Sequence, residues 1–113
     1  EQVATIVDRL KATPEGKSSM FDNTVVVYFP ENGEGHHSHG TESPFLMLAG
    51  HHCKLDMSGR YIRLPYHGTE GHKTIGNWYT TLLNGYGNNI DHYGAMDVGL
   101  TIQQQGPIQQ FLG

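Results

Sequence analysis

The chain has 113 residues, with eleven acidic and seven basic side chains and a formal net charge of −4. The length allows at most one small domain, and a hydrophobic content of 36% with fifteen glycines leaves little material for a core of its own. There is no cluster of Lys and Arg that could follow a phosphate backbone, and no apolar run of the roughly 20 residues that cross a bilayer. The sequence therefore argues against a nucleic-acid partner and against a membrane span.

The first two predicted elements are a helix and a strand. Apolar residues recur at three- and four-residue spacing from Val3 to Leu10, which predicts an amphipathic helix over residues 1–12, ended by Pro14. Residues 24–29, TVVVYF, are apolar or β-branched at consecutive positions, which predicts a strand buried on both faces. Covering both faces needs further elements, and no initiator Met precedes the helix. We therefore expect a fragment that requires the upstream part of the same protein or a partner subunit.

Two further elements complete the predicted order. Residues 44–50, PFLMLAG, have the same continuous apolar character and predict a second buried strand. Residues 74–84 predict a second helix that stops at Gly85. Its predicted apolar face consists of five residues, Ile75, Trp78, Tyr79, Leu82 and Leu83. These elements predict an α/β fold, part of a mostly parallel sheet covered by helices, with residues 1–113 as one portion of an incomplete domain.

The segment that could carry chemistry lies between the two predicted strands. It reads ENGEGHHSHGTE over residues 31–42 and begins where the first strand ends, a position where open α/β sheets bind ligands. In extended backbone His37 and His39 point to the same side, so they can offer two imidazoles to one ion. Glu31, Asn32 and Glu34 add oxygen ligands nearby. This mixture suits zinc, manganese or iron, whereas Glu31 and Asn32 alone would suit a harder ion such as calcium.

The other five histidines lie outside this segment, in patterns that are weaker indications of a site. His51 and His52 follow the second strand and are predicted to form a turn. His67 and His72 bracket a Gly-rich loop before the second helix, where His72 could reach a site or serve the start of the helix. His92 has no neighbouring partner in the Gly- and Gln-rich tail, which begins at residue 88.

The order of these segments resembles that of a known family. TVVVYF, ENGEGHHSHGTESPFLMLAG and TIGNWYTTLLNGYG are similar to the end of the bacterial domain-of-unknown-function family 1552, over nearly the whole chain. That family resembles the alkaline-phosphatase and sulfatase superfamily, in which an apolar strand runs into a metal-binding Asp-His or Asp-Asn pair. Glu31-Asn32 stands at that position, with Glu in place of the usual Asp. His39 stands in a pattern similar to the superfamily's histidine ligand, H-[TG]-x-x-x-P.

The resemblance implies a function for the whole protein. It implies a metal-dependent hydrolase of phosphate or sulfate esters, whose nucleophile lies upstream of this chain. Glu31, Asn32, His37 and His39 would hold the metal, and His72 would contact the substrate. It also implies an exported protein, either periplasmic or extracellular.

Two other functions stay open at this point. One is a non-catalytic structural or assembly protein with a degenerate site. The other is a cupin-like metal-binding module, because His37-x-His39 followed by Glu42 is similar to the cupin pattern on a β-barrel.

Overall fold

The structure is a computed structural model, and it describes residues 1–30, 46–57 and 59–113. The chain divides into two compact units, residues 1–53 and residues 54–113. Over the described ranges it contains two α-helices, short 3-10 turns and two antiparallel sheets of two strands each. The predicted α/β fold, a mostly parallel sheet covered by helices, is therefore wrong. Within these ranges neither helix is long and apolar enough to cross a membrane.

The first unit begins with helix α1, Gln2–Ala12, which confirms the predicted helix. Its apolar stripe is anchored at Val7, which is buried. A short hairpin follows, in which β1 (Pro14–Glu15) and β2 (Ser18–Ser19) pair antiparallel. Gly16, between them, has a φ of 61°, the positive value required at the first position of a type II′ turn. The chain reverses direction there at little conformational cost.

The two predicted strands are present, but they pair directly with each other. Strand β3, Val25–Tyr28, lies antiparallel to β4, Leu46–Ala49, with Tyr28 opposite Leu46. The residues of both strands are half-buried or exposed, and so the predicted burial on both faces is also wrong. A parallel pair would need a crossover, usually helical. Residues 29–45 contain three glycines and two prolines, which disfavour a crossover helix.

The second unit is organised around helix α2, Ile75–Gly85, which confirms the second predicted helix. Thr74 and Asn77 form a reciprocal capping box at its start. Its end differs from the prediction, because the left-handed residue of the C-terminal cap is Gly87, with a φ of 87°. The N–H groups of Gly87 and of the next residue donate to carbonyls of the last turn.

The buried face of α2 is mostly polar, and Trp78 is the one buried residue that belongs to the predicted apolar face. Ile75 and Tyr79 keep 61% and 38% of their surface exposed. Besides Trp78, the buried residues are four that the sequence does not predict, Asn77, Thr80, Thr81 and Gly85. The physical reason is that the chain after the helix has many backbone groups to satisfy, and short polar side chains at helical spacing supply the partners.

Three residues of this face, which we call the clamp (Asn77, Thr80 and Thr81), bind the C-terminal tail. The Asn77 side-chain amide donates to the carbonyls of residues 104 and 106 at 2.8 and 2.9 Å. The Thr80 hydroxyl accepts from the Tyr93 N–H at 3.0 Å, and the Thr81 hydroxyl accepts from the Ile108 N–H at 2.7 Å. The clamp fixes the path of the tail across the helix.

The apolar part of this unit's core is small and joins its two ends. Leu55, Trp78, Ile108 and Phe111 are its buried apolar residues. Leu55 forms an antiparallel bridge with Leu112, which ties the start of the unit to its end. A Cβ on Gly85 would lie 2.7 Å from the Leu55 Cγ, so glycine at this position serves close packing and not the helix stop.

Candidate functional site

The four predicted metal ligands, Glu31, Asn32, His37 and His39, lie outside the described residues. The structure does describe both flanks of their segment. Tyr28 precedes the segment and Leu46 follows it, and these two residues are direct partners across the β3–β4 pair. Opposite residues in such a pair have Cα atoms about 5 Å apart. All four predicted ligands therefore lie on one connection whose ends are held together.

The antiparallel pairing removes one argument for the site. The rule that ligands bind at the carboxyl ends of strands applies to open parallel sheets, and β3 and β4 do not form one. The metal prediction now depends on the residue types and on the closed connection between Tyr28 and Leu46.

A second histidine cluster lies at the other end of the β3–β4 hairpin. His51 and His52 follow β4 beyond the Val25–Ala49 pair and form a turn, as predicted. His52 Nδ1 lies 2.6 Å from the Asn23 side-chain oxygen. The Asn23 amide nitrogen in turn donates to the Glu15 carboxylate at 2.6 Å.

These contacts determine the form of the His52 ring. The Asn23 side-chain oxygen can only accept, so His52 Nδ1 must carry the proton and donate, which leaves a lone pair on Nε2 of the neutral ring. Sequence reasoning missed this chain of bonds from Glu15 to His52. Its members are separated by 8 and 29 residues, and no local pattern connects them.

Asp22 is the acidic neighbour of this cluster. Its pKa lies below the usual value, first because the Ser19 N–H and hydroxyl both donate to it, with a smaller effect of His51 and His52. His51 Nε2 lies 4.0 Å from the Asp22 carboxylate. Across the residues that the structure describes, no three His, Cys, Asp or Glu side chains form a group that could hold a metal.

His72, predicted to contact substrate, lies in a compact loop of the second unit. Its ring contacts that of His67, with centroids 4.8 Å apart in an edge-on arrangement. The Gly68 N–H donates to His72 Nδ1 at 3.2 Å. Gly68 and Gly71 have φ values of 77° and 81°, which side-chain-bearing residues rarely adopt. The loop therefore brings together the two histidines that flank it in sequence.

The loop also fixes the chemical form of His72. Because Nδ1 accepts a hydrogen bond, the neutral ring carries its proton on Nε2. Burial lowers the pKa of His72 below 6.5, and the neighbouring His67 lowers it further. The neutral His72 ring thus presents an N–H donor at Nε2, whereas the neutral His52 ring presents a lone pair there.

The lowered pKa of His72 predicts a pH-dependent stability. The unfolded chain binds a proton at His72 more readily than the folded chain does. The contribution of the neutral His72 ring to the free energy of unfolding is therefore complete above pH 6.5. It is lost as the pH falls from 6.5 through the pKa of His72 in the folded chain. His67→Gln removes the smaller cause and is expected to raise the pKa of His72 towards 6.5. The ring NMR signals of His72, followed against pH in wild type and in His67→Gln, measure the two pKa values. A wild-type midpoint at or above pH 6.5 would contradict the lowered pKa.

His92, for which the sequence predicts no partner, is held by the tail. Its Nδ1 lies 3.1 Å from the Gln104 carbonyl, to which it donates. Its Nε2 is buried and has no hydrogen-bond partner in the described part of the chain. The Gln104 side chain bonds to both the N–H and the carbonyl of Asp97. His92 therefore belongs to the packing of the tail on α2.

Comparisons of the chain with protein-family models, with curated proteins and with solved structures find no match. Membership of family 1552, and the hydrolase activity that it implies, stay predictions.

Proposed function

We propose that this chain binds a divalent metal ion through residues 31–42, with Glu31, Asn32, His37 and His39 as ligands. The observation that carries the proposal is the register of β3 and β4, which pairs Tyr28 with Leu46 and so closes the connection that bears the ligands. The ligand set follows from the residue types in the sequence.

Closure of the connection favours metal binding on entropic grounds. Bringing together the ends of a chain segment of this length costs on the order of 2–3 kcal/mol of conformational entropy. In this chain the β3–β4 pairing supplies that closure before an ion arrives. The free energy of metal–ligand bonds is then available for affinity, because no distant part of the chain has to be recruited.

The donor set favours one kind of ion. Two imidazoles with a carboxylate are typical of zinc and of other transition metals, and zinc binds such a set more tightly than manganese or iron does. Calcium prefers six or more oxygen ligands, so it is the weakest candidate of the four. Since the imidazoles must be unprotonated to bind, occupancy is expected to fall below about pH 6.

Ester hydrolysis is the activity that we propose for the longer protein. A divalent metal, when bound, lowers the pKa of an attacking hydroxyl and stabilises the leaving oxygen. The nucleophile would come from the upstream part of the same protein or from a partner subunit. The incomplete cover of the β3–β4 sheet supports such a partner, because Tyr28 and Leu46 keep 63% and 48% of their surface exposed. A periplasmic or extracellular location belongs to the same proposal.

The described strands do not favour the cupin-like alternative. Within the described ranges they form two separate two-stranded sheets and not a closed barrel. The non-catalytic alternative predicts the same fold without a bound ion, and so metal content separates it from our proposal.

The test is metal content by mass spectrometry, measured on the full chain and on the longest natural form of the protein. We expect a near-stoichiometric divalent metal that disappears in the His37→Ala/His39→Ala double variant. The matched control is His51→Ala/His52→Ala, which removes the same number of histidines at the opposite end of the hairpin and should leave the metal content unchanged. Absence of metal from every form, or equal loss in the two double variants, would overturn the proposal.

A further inference from the structure

A groove in the second unit is lined by the loop that His67 and His72 flank and by part of the tail. Its volume is about 530 Å³, and it is open to solvent. The loop contributes residues 68–73 and the tail contributes residues 101–103. This volume exceeds that of a water molecule many times over, so the groove can admit a small organic molecule.

Several side chains that line the groove have polar groups that are not already used in hydrogen bonds within the described part of the chain. His72 Nδ1 is occupied by the Gly68 N–H, so Nε2–H is the ring group left for a ligand. The Gln103 side-chain oxygen accepts from the Gln105 N–H at 3.0 Å, so its NH₂ group is left to donate. Lys73 is half-buried and has no ion-pair partner within the described residues. These three groups are donors, and the Thr101 hydroxyl, which also lines the groove, can donate as well.

The charge of the unit permits an anion to approach these donors. Residues 54–113 contain four Lys or Arg and four Asp or Glu residues, and are formally neutral, whereas the net charge of −4 resides in residues 1–53. Glu70 is the one carboxylate that lines the groove. Its negative charge repels an anion, so its removal should strengthen anion binding.

We propose that this groove binds the oxyanion of a small molecule, with His72 Nε2–H, the Lys73 ammonium and the Gln103 amide as donors. The ligand class is a molecule that carries a phosphate, sulfate or carboxylate group, because such groups accept from several donors at once. The inference shares His72 with the proposed function, but it rests on the donors of the groove alone and requires no metal.

The test is a titration of the isotope-labelled full chain with inorganic phosphate at pH 7.5, with a chelator present and at constant ionic strength. The His72 ring and the Gln103 side-chain amide are expected to shift together and to saturate, with a dissociation constant of about 1 mM. Phenyl phosphate and acetate, titrated in parallel, distinguish a monoester from a free anion and a tetrahedral from a planar oxyanion. Failure of all three to give a saturable shift at His72 would overturn the proposal.

Matched variants separate binding from a general structural effect. His72→Asn keeps an acceptor for the Gly68 N–H but removes the Nε2–H donor, and should weaken binding about tenfold. His72→Gln places an amide donor near the position of Nε2 and should restore most of the affinity. Lys73→Met should also weaken binding about tenfold, and Glu70→Gln should strengthen it about threefold. Equal affinities across these four variants would contradict the assigned donors.

The chelator keeps the two proposals apart. Phosphate binding in its presence supports the groove whatever the metal content of the chain. Loss of phosphate binding on chelation would place the anion on a bound metal and overturn the groove as its site.

Discussion

Replacing Asn77 by Ala is expected to lower the free energy of unfolding of the second unit by about 3 kcal/mol. Asn77 is fully buried. Its amide donates to the carbonyls of residues 104 and 106, and its side-chain oxygen accepts from the Thr74 N–H at 2.9 Å. The alanine leaves two carbonyls without this donor and removes one half of the capping box.

The single tryptophan makes this prediction measurable in one unit. Trp78 lies on α2 beside Asn77 and is itself buried, so its fluorescence during urea unfolding reports on the clamp. Asn89→Ala, at an exposed position of the same unit, is the control and should change stability by less than about 0.5 kcal/mol. An Asn77→Ala variant within about 1 kcal/mol of wild type would show that the clamp does not stabilise the tail.

Replacing Gly50 by Ala is expected to cost about 3 kcal/mol or more in the first unit. A Cβ at this position would overlap the backbone of Phe21 and Asp22. The chain cannot move away freely, because the N–H of Gly50 donates to the Thr24 carbonyl and that of His52 donates to the Asp22 carbonyl, both at 3.0 Å. Backbone meets backbone, so no side-chain rotation relieves the clash.

Amide hydrogen exchange measures this effect where it arises. The N–H groups of residues 50 and 52 should lose protection in Gly50→Ala, because local opening becomes far more frequent. Gly99→Ala is the control, since its Cβ would meet only the end of the flexible Asp97 side chain, at 3.1 Å. If residues 50 and 52 keep wild-type protection in Gly50→Ala, the backbone of Phe21 and Asp22 can move away from residue 50 at little cost, and the prediction is wrong.

The sequence predicts the elements of this chain better than their arrangement. The periodicity from Val3 to Leu10 and the apolar runs at 24–29 and 44–50 locate α1, β3 and β4 to within about two residues. An uninterrupted apolar run is compatible with parallel and antiparallel pairing alike, since both can bury it. The composition of residues 29–45 contained the deciding signal, because a Gly- and Pro-containing segment makes a poor crossover helix.

The buried face of α2 was hidden for a different reason. Asn77, Thr80 and Thr81 are polar and Ile75 is strongly apolar, so apolar periodicity favours the exposed Ile75 over three residues that are buried. Burial of these polar side chains depends on tail carbonyls and N–H groups 13 to 29 residues away, such as the Tyr93 N–H and the carbonyl of residue 106. Such long-range partners leave no periodic signal in the sequence.

The candidate sites were predictable by composition and not by geometry. The histidine pattern at 37 and 39 is visible directly, whereas the forms of His52 and His72 depend on folded partners. The hydrogen bond to Asn23 places the proton of the neutral His52 ring on Nδ1, so Nε2 is an acceptor. The hydrogen bond from the Gly68 N–H places the proton of the neutral His72 ring on Nε2, which is therefore a donor. Two loop histidines thus acquire opposite hydrogen-bonding chemistry at Nε2 from one hydrogen bond each.

The most direct test of the metal-binding proposal is a zinc titration of the metal-free chain, followed through the ring signals of all eight histidines. We expect the His37 and His39 signals to shift first and to saturate at one equivalent of zinc, while those of His51, His52 and His92 stay unchanged. A first shift at His51 and His52, or a uniform weak shift at every exposed histidine, would contradict a metal site in residues 31–42.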